Sequence, residues 1–230
     1  MKNIEWQDDR DIYGRMLLLT DFYMFNGLRN AVDHYDADFM DALSWGQLKS
    51  KRWIISTLEE IDVDLGIVFL CAGWYAILAG MMFESKLKVD KIRSFDIDES
   101  CANIADTVNR KYVANDWKFK ASTLDIHKMT YPATYTTKKF SGQQQILTDY
   151  PNTIINTSCE HITNFRLWYN SLPSGVLLIL QTNNYFEIED HINCSKSLED
   201  FAIITPMNEV LYEGELNLQC YKRFMRIGVK

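Results

Sequence analysis

The rhythm of apolar and polar positions changes once along this chain. From Trp6 to about Asp62, apolar residues recur at spacings of three and four, as in MLLLTDFYMFNGLRNAVDHY (16–35) and LKSKRWIISTLEEI (48–61). That period predicts two or three amphipathic helices. Beyond Asp62, short apolar runs alternate with helical stretches. Leu65–Cys71 is a compact run rich in branched residues, the chain breaks at Gly73, and WYAILAGMMFES (74–85) reads as a helix. The unit recurs with the strand KIRSFDI (91–97), the helix DESCANIADTVNRKY (98–112), which opens on acidic residues, and the strand WKFKAST (117–123). It returns again as the strand TIINTS (153–158), the helix HITNFRLWYNSL (161–172), a Pro-Ser-Gly turn at 173–175 and the strand VLLILQT (176–182).

Strands alternating with helices imply a mainly parallel sheet covered on both faces, an α/β fold of Rossmann-like character. The end of the chain departs from this. MNEVLYEGEL (207–216) and YKRFMRIGV (221–229) are strand-like runs separated by a few residues, so they must pair antiparallel. The stretch YPATYTTKKFSGQQQILTDYP (131–151) is rich in threonine and tyrosine and reads as an inserted hairpin turning near Ser141 and Gly142. The expected organisation is an N-terminal helical lid or extension, residues 1–60, packed on one domain that spans 61–230. Neither a repeat nor a proline-rich linker divides the chain.

Composition narrows the functions open to such a domain. Of 230 residues, 24 are Lys or Arg and 31 are Asp or Glu, a net charge of −7 that disfavours a broad nucleic-acid face. The five cysteines form no CxxC pair and no ladder of short spacings, which argues against a zinc site or a disulfide framework and for reduced thiols in the cytoplasm. The charged N-terminus has no apolar signal core, and the apolar run 67–83 is too short and too broken by glycine for a membrane span. The expectation is a soluble cytoplasmic protein with no membrane partner and no metal.

The order of elements, Gly73 in CAGWYAILAG, Asp96 in SFDIDESCANIAD, Asp125 in STLDI and the terminal hairpin together resemble the class I S-adenosylmethionine-dependent methyltransferases from about Ile61 to Lys230. The resemblance implies a seven-stranded sheet ending in an antiparallel hairpin, with S-adenosylmethionine as cofactor. It implies that the backbone at Gly73 approaches the methionine portion, flanked by Trp74 and Tyr75, and that Asp96, with Ile97 beside it, accepts from the ribose hydroxyls while Asp125 accepts from the adenine amino group. Ser50 or Lys51, just before strand 1, would hold the cofactor's carboxylate. The loop departs from the family in carrying one glycine where two or three are usual. FDIDESCAN is also similar to nicotianamine synthases, which share the fold and transfer an aminocarboxypropyl group instead.

Reacting groups are expected at the carboxyl ends of the later strands. INTSCEHI (155–162) places Asn156, Glu160 and His161 directly after an apolar strand, with Glu160 or His161 as a general base toward an oxygen or nitrogen acceptor. On the bland reading Ser158 caps a helix, with Glu160 and His161 on its exposed first turn. QTNNYF (181–186) offers Asn183, Asn184 and Tyr185 for substrate contact, and His191 reads as a surface residue. After Asn156, Thr157 and Ser158 stand where the DNA and glutamine amino-methyltransferases have prolines, so a nucleic-acid amine is not favoured, and the expected acceptor is a small molecule or peptide-like. The alternatives are aminocarboxypropyl transfer and a non-catalytic binding subunit.

Overall fold

A computed structural model describes residues 22–230, with side chains from Met24. The helical pattern expected between Trp6 and Asp21 lies outside the described residues. Three helices come first: α1 (Phe22–His34), α2 (Phe39–Ala42) and α3 (Trp45–Ile61). Ser44 caps α3 through its hydroxyl, which accepts from Gln47 N, and α3 stops where Asp62 turns left-handed.

The strands that follow are β1 (Asp64–Cys71), β2 (Lys88–Asp96) and β3 (Phe119–Thr123), then β4 (Ala133–Lys138), β5 (Gln144–Asp149), β6 (Thr153–Asn156), β7 (Leu177–Asn183), β8 (Glu209–Asn217) and β9 (Lys222–Val229). Seven form one sheet in the order β3-β2-β1-β6-β7-β9-β8, parallel except for β9, which runs antiparallel to both neighbours. This is the sheet the alternation and the closing hairpin predict. The expected insertion is a separate antiparallel pair, β4 with β5, reversing through Gly142 at φ 82°.

Five helices fill the crossovers: α4 (Ile77–Phe83), α5 (Cys101–Val108), α6 (Arg110–Ala114), α7 (Phe165–Ser171) and α8 (Leu198–Ile204). The single helix expected over 98–112 is broken at Asn109. That buried side chain donates to Ala105 O and to Ala76 O, 2.9 and 3.1 Å away, which ties the break to the loop after β1. Two apolar layers sandwich the sheet. On one face α1, α3, α4 and α5 pack around Leu28, Ile54, Leu78 and Ile104, so the N-terminal helices share the core of the sheet. On the other face α7 and α8 pack around Trp168, Tyr169 and Phe201, with Tyr135 of the hairpin.

Candidate functional site

Parallel topology sets the carboxyl ends of β1, β2, β6 and β7 along one edge, where loop residues face a common crevice. The loop after β1 is the most constrained of these. Ala72, Trp74 and Ala76 all have left-handed backbones, with φ of 51°, 49° and 50°. Glycine adopts this region freely and other L-residues only at a cost, so the chain makes a glycine-type turn largely without glycine. Gly73 answers a different constraint: a Cβ there would collide with Ser94 Oγ and stand 3.1 Å from Leu70 Cγ. Its N–H donates to Phe95 O at 3.0 Å, and the next N–H, of Trp74, donates to Asp96 Oδ2 at 2.8 Å.

Asp96 therefore stitches β2 to this loop, while its Oδ1 accepts from Asp98 N at 3.1 Å. Burial pushes its carboxyl upward, partly countered by these backbone bonds. Trp74 is half-buried and Tyr75 is in the core, tilted against Phe39 with ring centroids 5.4 Å apart. Lys51 comes down from α3 onto the same loop. Its buried ammonium donates to Gln47 Oε1 at 2.6 Å, and burial, reinforced by Arg223, pushes its pKa down to about 7. Between Lys51, Gly73, Trp74 and Thr157 lies a small space of about 30 Å³.

A second and larger space adjoins it across Gln47. This cleft, about 870 Å³, is lined by Glu160, His161, Asn183, Tyr185, His191 and Tyr221. Tyr185 and Tyr221 stack, centroids 5.2 Å apart and 7° from parallel. His161 and His191 meet edge to face at 4.6 Å. Beneath them, Glu160 is fully buried on a 3-10 turn (Cys159–His161), not on the exposed first turn of a helix. Its Oε1 accepts from Asn183 Nδ2 at 2.7 Å and from Arg223 Nη2 at 3.0 Å. Arg223 also donates to Thr157 O at 2.8 Å, which locks β9 to the end of β6. The neighbouring thiols are held protonated: burial pushes Cys159 well above the ordinary range and Cys194 to about 11.

The structure thus gathers Gly73, Trp74, Tyr75 and Lys51 in one place, with Asp96 tied to Trp74, and Glu160, His161, Asn183 and Tyr185 in another. Others are engaged elsewhere. Ser50 Oγ donates to Gln181 Oε1 at 2.5 Å inside the core, and Asn184 exchanges hydrogen bonds with the backbone of Lys222. Asp125 caps its own turn by accepting from His127 N, Ile97 is 71% exposed, and Asn156 is buried with Oδ1 accepting from Ser158 N. Arg223, His191 and Tyr221 were missed from the sequence. Arg223 was detectable as a charged residue beside the apolar Phe224 and Met225 in a strand flanked on both sides within the sheet, where a buried charge demands a partner. His191, expected at the surface, is half-buried against His161.

No protein-family model and no curated protein sequence matches the chain. Solved structures do match in fold. An S-adenosylmethionine-dependent methyltransferase from Clostridium acetobutylicum ATCC 824 aligns at TM-score 0.53 and 13% identity, over 88% of this chain and 98% of that one. The magnesium protoporphyrin IX methyltransferase of Synechocystis PCC 6803, with bound SAH, aligns at 0.55 and 12%, over 96% and 100%. The N-methyltransferase NodS of Bradyrhizobium japonicum WM9, in complex with S-adenosyl-L-homocysteine, aligns at 0.56 and 9%, over 88% and 98%. The fold of this chain is the Rossmann-like fold of the class I methyltransferases. Among the described residues, no helix is long and apolar enough to cross a membrane.

Proposed function

We propose that this protein transfers a methyl group from S-adenosylmethionine to an oxygen or nitrogen of a small-molecule or peptide-like acceptor. The observation that carries this reading is the link from Trp74 N–H to Asp96, which joins the turn after β1 to the carboxylate ending β2 at the edge where such sheets bind ligands. The residues fit the cofactor in kind. Both Asp96 oxygens accept backbone N–H groups and keep acceptor capacity for ribose hydroxyls. Lys51, buried beside the loop, supplies the cation for a carboxylate. The space of about 30 Å³ holds about one water, so the groups around it, Gln47 and Lys51 among them, have to shift for the cofactor to enter.

When bound, the cofactor supplies an activated sulfonium methyl group; the chain's own work is alignment and exclusion of water. The stacked Tyr185 and Tyr221 give the acceptor a flat aromatic surface, and His161 and His191, the latter edge-on to Tyr185, supply polar groups beside it. Glu160, held by Arg223 and Asn183, orients this floor. Isothermal titration with S-adenosylmethionine and S-adenosylhomocysteine tests the reading: both bind if it is right, and failure of both at millimolar concentration ends it. With an acceptor in hand, S-adenosylhomocysteine as product supports methyl transfer, and methylthioadenosine would assign the chemistry to aminocarboxypropyl transfer instead.

A further inference from the structure

Three side chains at the floor of the large cleft meet the requirements of a metal centre. The carboxylate of Glu160 and the imidazoles of His161 and His191 each offer a ligand atom, and these atoms lie within 4.8 Å of one another. Spacing alone is weak evidence, but two further features favour a ligand. Glu160 is completely buried, and its Oε2 finds no hydrogen-bond partner among the described residues although Oε1 has two. A buried carboxylate oxygen without a donor is costly and calls for an occupant. His191 Nδ1 lies 2.7 Å from Tyr185 O. A carbonyl can only accept, so this bond fixes the proton on Nδ1 and leaves the Nε2 lone pair free, the arrangement in which a backbone carbonyl orients a metal-binding imidazole.

We propose that Glu160, His161 and His191 bind one divalent transition metal of the zinc class, with an open coordination position facing the cleft. Two imidazoles and one carboxylate are the donor set of open-site zinc centres. Metal–ligand bonds of about 2.0–2.2 Å place the donors about 3–3.5 Å apart, so the exposed His161 swings inward by an ångström or so while Glu160 and His191 stay where their partners hold them. Arg223 is a cation next to Glu160, but Asp41 and Asp190 line the same cleft and offset it. A metal there would bind the acceptor's oxygen or nitrogen and ease its loss of a proton, so that His161 and His191 serve as ligands and not as bases. The site stands whether or not S-adenosylmethionine binds.

The test uses the full chain, Zn²⁺ competition against a chromophoric chelator, and the visible spectrum of the Co²⁺-loaded protein. The expected result is one equivalent of metal per chain, with hyperfine-shifted imidazole N–H resonances from two histidines in the Co²⁺ form. His161→Ala and His191→Ala should each weaken Zn²⁺ by about 100-fold or more, beyond the about 10–100-fold that a supporting residue costs. His34→Ala, His127→Ala and Cys220→Ser should leave it unchanged. Absence of stoichiometric binding by the unmodified chain overturns the proposal, as does binding that survives both cleft histidine changes or disappears only with Cys220→Ser. The resonances of the unmodified Co²⁺ protein decide the ligand set even if a variant fails to fold.

Discussion

Arg223 Nη2 lies 3.0 Å from Glu160 Oε1, with side chains 5% and 1% exposed, so the last strand of the sheet is pinned to the turn after β6 by a charge pair sealed from water. Such a pair is poor evidence of net stabilisation, because desolvation of both ions opposes their attraction. Removing one partner is another matter, since the survivor is left buried and uncompensated. Glu160→Gln and Arg223→Met are each expected to cost about 3–5 kcal/mol in urea denaturation, and the double variant much less than their sum. Additive losses would mean that the two charges are balanced by other groups.

Gly73 and Ser94 make a second coupled pair. A methyl group at 73 meets Ser94 Oγ, with Leu70 close behind, in a loop already carrying three left-handed non-glycine residues. Gly73→Ala is expected to destabilise by about 1–3 kcal/mol through overpacking, and Ser94→Ala in the same chain to recover part of it. Ala72→Gly should act oppositely, gaining about 1 kcal/mol by relieving the left-handed backbone at φ 51°. Thermal melts of the three variants check both directions. A harmless Gly73→Ala would show that the loop tolerates a side chain there.

The inserted hairpin is held by Asp149, whose Oδ2 accepts from Arg93 Nε at 2.9 Å and from Tyr135 OH at 2.6 Å. Burial alone would raise this carboxyl, but the bonds from Tyr135 and Arg93 outweigh it and the pKa is lowered from 3.8. A carboxylate whose folded pKa is depressed contributes stability above its unfolded value and loses it as pH falls through the folded one. Asp149→Asn should therefore cost about 1–3 kcal/mol at pH 7 and noticeably less at pH 3. Urea midpoints at the two pH values measure this, and an equal loss at both would assign the effect to packing.

The sheet was legible because each central strand is an apolar run bounded by a turn, and the antiparallel finish because so few residues separate β8 from β9. The helix break at Asn109 was not, since it depends on a bond to Ala76 O in another element. Helix α8 has seven residues, too few to show a period. In the site, Gly73 and Asp96 are marked by their places at strand ends. Arg223 and Glu160 are 63 residues apart and meet only because β9 returns beside β7, a register that local pattern does not encode. For the same reason no local pattern marks His191 as a neighbour of His161.

Lys51 links the fold to the proposed cofactor through a proton. In the folded protein its pKa is pushed down to about 7 by burial and by Arg223, against 10.5 for a free lysine. The charged form is therefore penalised; this cost is fully present below pH 7 and is relieved as pH rises toward 10.5. At pH 8 only about a tenth of the side chains carry the proton. A carboxylate arriving beside Lys51 raises its pKa again, so binding of S-adenosylmethionine at pH 8 should take up close to one proton. Titrations in buffers of different ionisation enthalpy read this as a slope in the apparent heat. Lys51→Met should remove the slope and weaken binding by about 1.5–3 kcal/mol, the range for a hydrogen bond to a charged group. Binding by the unmodified chain with no buffer dependence would place the cofactor's carboxylate away from Lys51, and Gln47, Thr157 and Ser158 on the same small space would be the groups to vary next.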